Sequence, residues 1–135
     1  MEYFALLIAG SRDFNDYDTL AKKCDSLLVN QRRKYIIIVS GGSRGADTLA
    51  ERYAKERGYY LKVFPAQWKK YGKSAGYRRN EEMHKYINSF GNRGVVCFWD
   101  GQSIGTTHNF NLCKRFHTQL RVWNYIVKSW IIIRN

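Results

Sequence analysis

The chain has 135 residues, 44% hydrophobic and 25% charged, enough to bury the core of one domain. Its 23 Lys+Arg against 11 Asp+Glu leave a formal net charge of +12, which favours an anionic partner: a nucleotide, a nucleic acid or an acidic surface. Cys24, Cys97 and Cys113 form no CxxC pair, the start shows no basic-then-apolar leader, and the last apolar stretch (Tyr125 to Ile133) is broken by Lys128. These features exclude a bilayer span and a disulfide scaffold, and a soluble cytoplasmic chain with reduced thiols and no membrane partner is expected.

Leu6-Leu7-Ile8-Ala9 is a continuous apolar run, as in a strand covered on both faces. Asp16 or Asp18 can cap the helix that follows, whose apolar positions Tyr17, Leu20, Ala21, Cys24, Leu27 and Leu28 recur at helical spacing. Arg32, Arg33 and Lys34 read as a solvated loop. Ile36-Ile37-Ile38-Val39 is a second strand. Ala46, Leu49, Ala50, Tyr53 and Ala54 form the inward face of a second helix, which Gly58 ends. Tyr60 to Phe64 is a third strand, closed by Pro65, and a long loop then runs to about Ala75. Asn80, Met83, Ile87 and Phe90 mark a third helix, Val95 to Trp99 a fourth strand, Phe110 to Phe116 a fourth helix, and Leu120 to Trp123 a fifth strand. Residues 125–135 form an apolar extension that adds an edge strand, covers the sheet or pairs two subunits. Strict alternation predicts an α/β fold: a parallel sheet of about five strands with helices on both faces.

Three small-residue turns follow the first, second and fourth strands. They are Gly10-Ser11-Arg12, Ser40-Gly41-Gly42-Ser43-Arg44-Gly45-Ala46-Asp47, and Asp100-Gly101-Gln102-Ser103-Ile104-Gly105-Thr106-Thr107. Glycines let backbone approach a ligand closely, and a following helix aims free N–H groups and a positive dipole end at it. In a parallel sheet all three turns share the carboxyl edge, where ligands bind. A phosphate-bearing ligand is therefore expected there, with Arg12, Arg44 and Arg79 neutralising charge. Asp47 or Asp100 is expected on ribose hydroxyls, Asn80 as an orienting amide, and Thr106 and Thr107 as hydroxyl donors. The turns match neither a GxxxxGK[ST] loop nor a GxGxxG fingerprint, and the second strand ends in Ser40 rather than an acid, which argues against a nicotinamide dehydrogenase. Trp68 to Asn80 interleaves Lys69, Lys70, Lys73, Arg78 and Arg79 with Trp68, Tyr71 and Tyr77. That stretch is either a solvated lid or a place where rings stack on bases. His84, His108 and His117 lack metal-ligand spacing, so neither a metal nor a cofactor is expected.

The segments GSRDF, VSGGSRGADTLAERYA, FPAQW, KSAGYRRNEEM and FWDGQSIGTTH, in this order, resemble the YspA / cpYpsA-related branch of the SLOG superfamily. The resemblance implies a Rossmann-like three-layer sandwich in strand order 3-2-1-4-5, residues 1–135 as one SLOG-type nucleotide-binding domain, and a nucleotide-derived ligand at the strand tips. Two relatives frame the activity. LOG phosphoribohydrolases cleave nucleotides with an RKxxM helix motif and a PGGxGTxxE turn. Arg79-Asn80-Glu81-Glu82-Met83 is similar to the first motif and residues 101–109 to the second. Asn109, however, stands where the second motif ends in Glu, and an amide cannot serve as the acid or base. DNA-processing protein A, a single-stranded DNA binder, has SGxARGID and RN elements similar to residues 40–47 and Arg79-Asn80.

The expectation is a binder of an ADP-ribose-like or related phosphorylated nucleotide, with no catalytic residue assigned, that senses or sequesters a signalling nucleotide. Some SLOG relatives do so in antiviral defence. One alternative is an N-glycosidase or phosphoribohydrolase using Glu81 or Asp100, and the other a single-stranded nucleic-acid binder. SLOG relatives often oligomerise, and Trp123 and Trp130 in the apolar tail suit a homo-oligomer interface.

Overall fold

Apolar runs long enough for one strand, separated by amphipathic helices, have to bury both faces of whatever sheet they form. The computed structural model of the protein describes residues 2–133; Met1, Arg134 and Asn135, which the expected domain and tail include, lie outside them. Strands β1 (Phe4–Gly10), β2 (Ile36–Ser40), β3 (Tyr60–Val63), β4 (Asn92–Trp99) and β5 (Leu120–Asn124) are parallel. With β6 (Ser129–Ile133) they make a six-stranded sheet in the order β3-β2-β1-β4-β5-β6.

Alternation along β1 divides the core. Leu6 and Ile8 pack with Phe14, Leu20, Cys24, Ala50 and Tyr53, on the face covered by α1 (Tyr17–Leu27) and α2 (Ala46–Arg57). Ala5, Leu7 and Ala9 pack with Met83, Ile87 and Cys113, under α4 (Ala75–Asn88) and α5 (Ile104–Arg115). This is the Rossmann-like sandwich. All three cysteines are buried and unpaired. Asp16, rather than Asp18, caps α1 by accepting the Thr19 amide at 3.1 Å, and Gly58 ends α2 in the left-handed conformation.

Strand β1 pairs with β2 on one side and β4 on the other, so the chain reverses its direction of travel across the sheet at this point. The reversal opens a crevice beyond the carboxyl ends of β1 and β4. The expected long loop after β3 contains a four-residue helix, α3 (Trp68–Tyr71), and a tight turn at Gly72–Ser74 that delivers the chain into α4 over that crevice.

The tail supplies β6, antiparallel to β5, so the expected five-strand order holds and gains an edge strand. Asn124 Oδ1 accepts the amides of Ile126 and Val127 and shapes the hairpin turn. Trp123 and Trp130 face each other across the pair with ring centres 5.3 Å apart, and the Lys23 ammonium of α1 sits 3.8 Å from the Trp123 ring centre. Tyr125 packs on Phe14. No helix among the described residues is long and apolar enough to cross a membrane.

Candidate functional site

Ser11 ties the three turns together. Leaving β1, its amide donates to Phe98 O of β4 at 2.9 Å, and its carbonyl accepts the amide of Ala46 at the start of α2. Its hydroxyl accepts the Asp100 amide of the third turn at 3.2 Å. The residue is 2% exposed, so these bonds are held out of water. Close approach requires glycine at two places. A Cβ at Gly10 would overlap the Phe98 carbonyl, and one at Gly45 would overlap the backbone of Ser11 and Arg12. Gly45 also has φ +78°, where an L side chain is strained.

Between the turns and α4 lies a cleft of about 480 Å³, within the range of small-molecule sites, roughly 300–1,000 Å³. Of the residues expected at the ligand, Gly10, Ser11, Arg12, Arg44, Asp47, Arg79, Asn80, Asp100, Ser103, Gly105 and Thr106 line it. Ser40, Gly41, Gly42, Gly45, Gly101 and Thr107 do not, and each has another role. Buried Ser40 braces the second turn, its hydroxyl donating to Asp47 O at 3.1 Å and accepting the Gly42 amide at 3.3 Å. Gly41 gives its carbonyl to Arg79, and Gly42 (φ +72°) lies against Val63 and Pro65. Gly101 (φ +87°) bends the third turn. Thr107 turns its hydroxyl back to Ile104 O at 2.7 Å, inside the helix.

Two buried charges meet at Gly41. An added Cβ there would lie 2.8 Å from Arg79 Nη1 and 2.9 Å from Asp47 Oδ2. Asp47 Oδ2 accepts the Ser43 amide at 3.1 Å, and Arg79 donates to Gly41 O, Ser43 Oγ and Asn80 Oδ1. Burial lifts the Asp47 carboxyl to about 6 against the pull of Arg79, the Ser43 amide and Arg12, while nearby Glu51 adds to the rise. Burial also lowers Arg79, with Asp47 opposing it. Both partners are pushed towards neutrality, so desolvation outweighs their mutual attraction. A guanidinium and a carboxyl thus sit buried side by side at the edge of the cleft.

Asn80 finds its partners within the protein. Its carbonyl accepts from Arg79 Nε at 2.8 Å, which leaves its amide to donate to His108 Nδ1 at 3.2 Å. Burial lowers His108, which keeps the ring neutral and Nδ1 an acceptor. Asn109 lines the cleft while its Oδ1 sits 3.0 Å from His84 Nε2. His84 is fully buried, its Nδ1 meets no partner, and burial pushes it down to about 4. A neutral His84 donating from Nε2 holds the Asn109 amide.

In the third turn, Asp100 Oδ1 accepts the amides of Gln102 and Ser103 at 2.8 Å each, and these bonds hold it below the usual carboxylate range. The first-turn amides of Ile104, Gly105 and Thr106 precede any i−4 acceptor, and Gly105 puts no side chain over them. Glu81, the other acid weighed for catalysis, lies 3.6 Å from Arg115 and is not a cleft residue. No cluster of potential metal ligands occurs among the described residues.

The cleft also takes in Ala9, Asp13, Ser43, Trp68, Lys73, Gly76, Tyr77, Met83 and Asn109. Trp68, Lys73 and Tyr77 belong to the basic, aromatic stretch noted in the sequence. Asp13, Ser43 and Gly76 lie within the GSRDF, VSGGSRGADTLAERYA and KSAGYRRNEEM segments but are not among the ligand groups expected there.

Residues 4–71 match the YspA, cpYpsA-related SLOG family (YAcAr). Over 109 residues the chain is 35% identical to the Gene 61 protein of Mycobacterium phage D29, covering 76% of this chain and 82% of that protein. With its strand-tip turns joined through Ser11 beside a cleft at the switch point, the chain belongs to the YspA, cpYpsA-related SLOG family, with nucleotide-related binding as its coarse function.

Proposed function

We propose that the protein binds a phosphorylated nucleotide of the ADP-ribose-like class in this cleft and releases it unchanged, as a sensor or sink for a signalling nucleotide of the kind used in antiviral defence. The observation that carries this reading is the convergence of Arg12, Arg44 and Arg79 with the open first turn of α5 on one 480 Å³ space. Phosphate oxygens suit both guanidinium forks and helix N-terminal amides. Release without cleavage is favoured by Asn109. The carboxylate a LOG-type hydrolase needs there is an amide, and it is held by a neutral histidine.

Incubation with a nucleotide panel, washing, denaturation and mass spectrometry of the released small molecules tests both halves. An intact nucleotide at near-stoichiometric yield is the expected result. Free base or ribose phosphate identifies an enzyme and overturns the non-cleaving half. If no phosphorylated nucleotide binds at near-physiological salt, the whole reading fails. Affinity that grows with strand length and collapses with salt would then assign the +12 charge to single-stranded nucleic acid.

A further inference from the structure

Trp68 is placed differently from the other three tryptophans. Trp99 donates its indole N–H to Ser103 O, and Trp123 and Trp130 pack on each other and on the core. Trp68, by contrast, is 49% exposed, and it stands on the wall of the cleft rather than on the outer surface. Leaving that much indole in water forgoes apolar burial that inward packing of the ring would have gained.

What surrounds the ring is more telling. The Arg12 guanidinium carbon lies over it at 6.0 Å from its centre. The other cation–ring contacts of the described residues are shorter, with Arg78 4.4 Å and Lys70 5.0 Å from the Tyr71 ring centre on the same basic segment. A closed stack needs only about 3.5–4 Å between planes, whereas two successive contacts around an inserted flat ring need about 7 Å. At 6.0 Å from the ring centre, Arg12 makes no closed stack on Trp68. Arg12 is exposed, so its guanidinium can lift to cover a flat ring laid on the indole.

The ring also shares its cleft with Arg79 and the start of α5. An added Cβ at Gly76 would lie 3.5 Å from Trp68 Cη2 and 3.8 Å from Arg79 Nη2. Bare Gly76 thus leaves the indole edge and the buried guanidinium open to the same part of the cleft. Next to Gly76 on α4, Tyr77 is held edge-on against His108 with ring centres 4.7 Å apart, adding a second half-exposed ring to the rim.

We propose that Trp68 is the base platform of the cleft: the nucleobase inserts between the Trp68 indole and the Arg12 guanidinium while the phosphate rests on Arg79 and the α5 amides. This rests on the nucleotide reading above and extends it, because it makes the base, and not only the phosphate, a recognised part of the ligand. A flat ring between an indole and a cation is bound by stacking, which tolerates any base and favours the larger purine face.

The test uses the full chain with AMP, UMP and ribose 5-phosphate as probes, read by calorimetry and by quenching of tryptophan fluorescence. The expected order of affinity is AMP, then UMP, then ribose 5-phosphate. Trp68→Ala should weaken AMP by roughly 5- to 150-fold, the span of one lost base stack, and leave ribose 5-phosphate unchanged. Trp68→Phe should recover most of the loss, and AMP should quench the wild type but not the Phe variant. Thermal unfolding of both variants should match the wild type, since the ring is half in solvent. If AMP and ribose 5-phosphate bind the wild type equally, or Trp68→Ala weakens both alike, the platform is overturned and the phosphate cleft stands. If none of the probes binds, the platform is overturned, and the nucleotide panel above decides whether the nucleotide reading falls with it.

Discussion

Asp47→Asn tests the electrostatics of the cleft directly. The carboxyl is 7% exposed and is lifted from an ordinary 3.8 to about 6 by burial, with Arg79, Arg12 and the Ser43 amide opposing and Glu51 assisting. Between those two values the folded state holds a proton that the unfolded chain has released, so stability falls as pH rises through that window and stays low above it. At about 1.4 kcal/mol per pKa unit the loss is about 3 kcal/mol. Asparagine has no charge to bury and can still accept the Ser43 amide. The variant should therefore be more stable than the wild type by about 3 kcal/mol near pH 8, or about 10 °C in Tm, and nearly equal to it near pH 3.5. Urea unfolding of both proteins across pH provides the measurement. A phosphate resting on Arg79 and Arg12 adds negative charge beside Asp47 and competes with it. Wild-type affinity for AMP should accordingly decline above about pH 6, and the variant should bind more tightly there. A variant less stable than the wild type near pH 8 would refute the reasoning, because it would mean that the attraction of Arg79 outweighs the cost of burial.

Three further outcomes follow from the same geometry. His84, pushed down to about 4, should cost the wild type about 3 kcal/mol as pH falls from 6.5 through 4, because the unfolded chain takes up the proton first; His84→Phe should lack that acid-side loss in urea unfolding. Gly45→Ala should destabilise by about 3 kcal/mol or prevent folding, since it combines a left-handed φ with a Cβ pressed into the Ser11 and Arg12 backbone; its midpoint in denaturant measures this. Trp130→Ala removes the partner of Trp123 and one ring near Lys23, and should lower stability by about 2 kcal/mol without changing ligand affinity, as thermal unfolding and calorimetry would show.

The strands, the helices and the three strand-tip turns were legible in the chain because each rests on a local signal. Continuous apolar runs such as Ile36-Ile37-Ile38-Val39 specify buried strands, and helical spacing in Tyr17 to Leu28 specifies an amphipathic helix. The glycines that end β1 and open α2 mark places where no side chain fits. Asn80 was legible in part: a polar residue on an apolar face needs a partner, and only the fold supplied Arg79 and His108.

Tertiary approach decided what each turn residue does. The Ser40 and Thr107 hydroxyls, read as ligand groups from the sequence, also donate to backbone carbonyls within the protein. Ser11 gave no sign of joining three turns, since its partners lie at Ala46, Phe98 and Asp100. The lifted Asp47 carboxyl arises only when the fold buries it beside Arg79 of α4 and removes water, a solvent effect that no neighbouring residue in sequence reports. Trp68 likewise reaches the cleft because α3 folds back towards Arg12. The hairpin of β6 on β5 brings two tryptophans and a lysine from α1 together in space. Period and turn chemistry act over a few residues and are written in the sequence; burial, charge and the partner of a hydroxyl depend on what the fold brings from far along the chain.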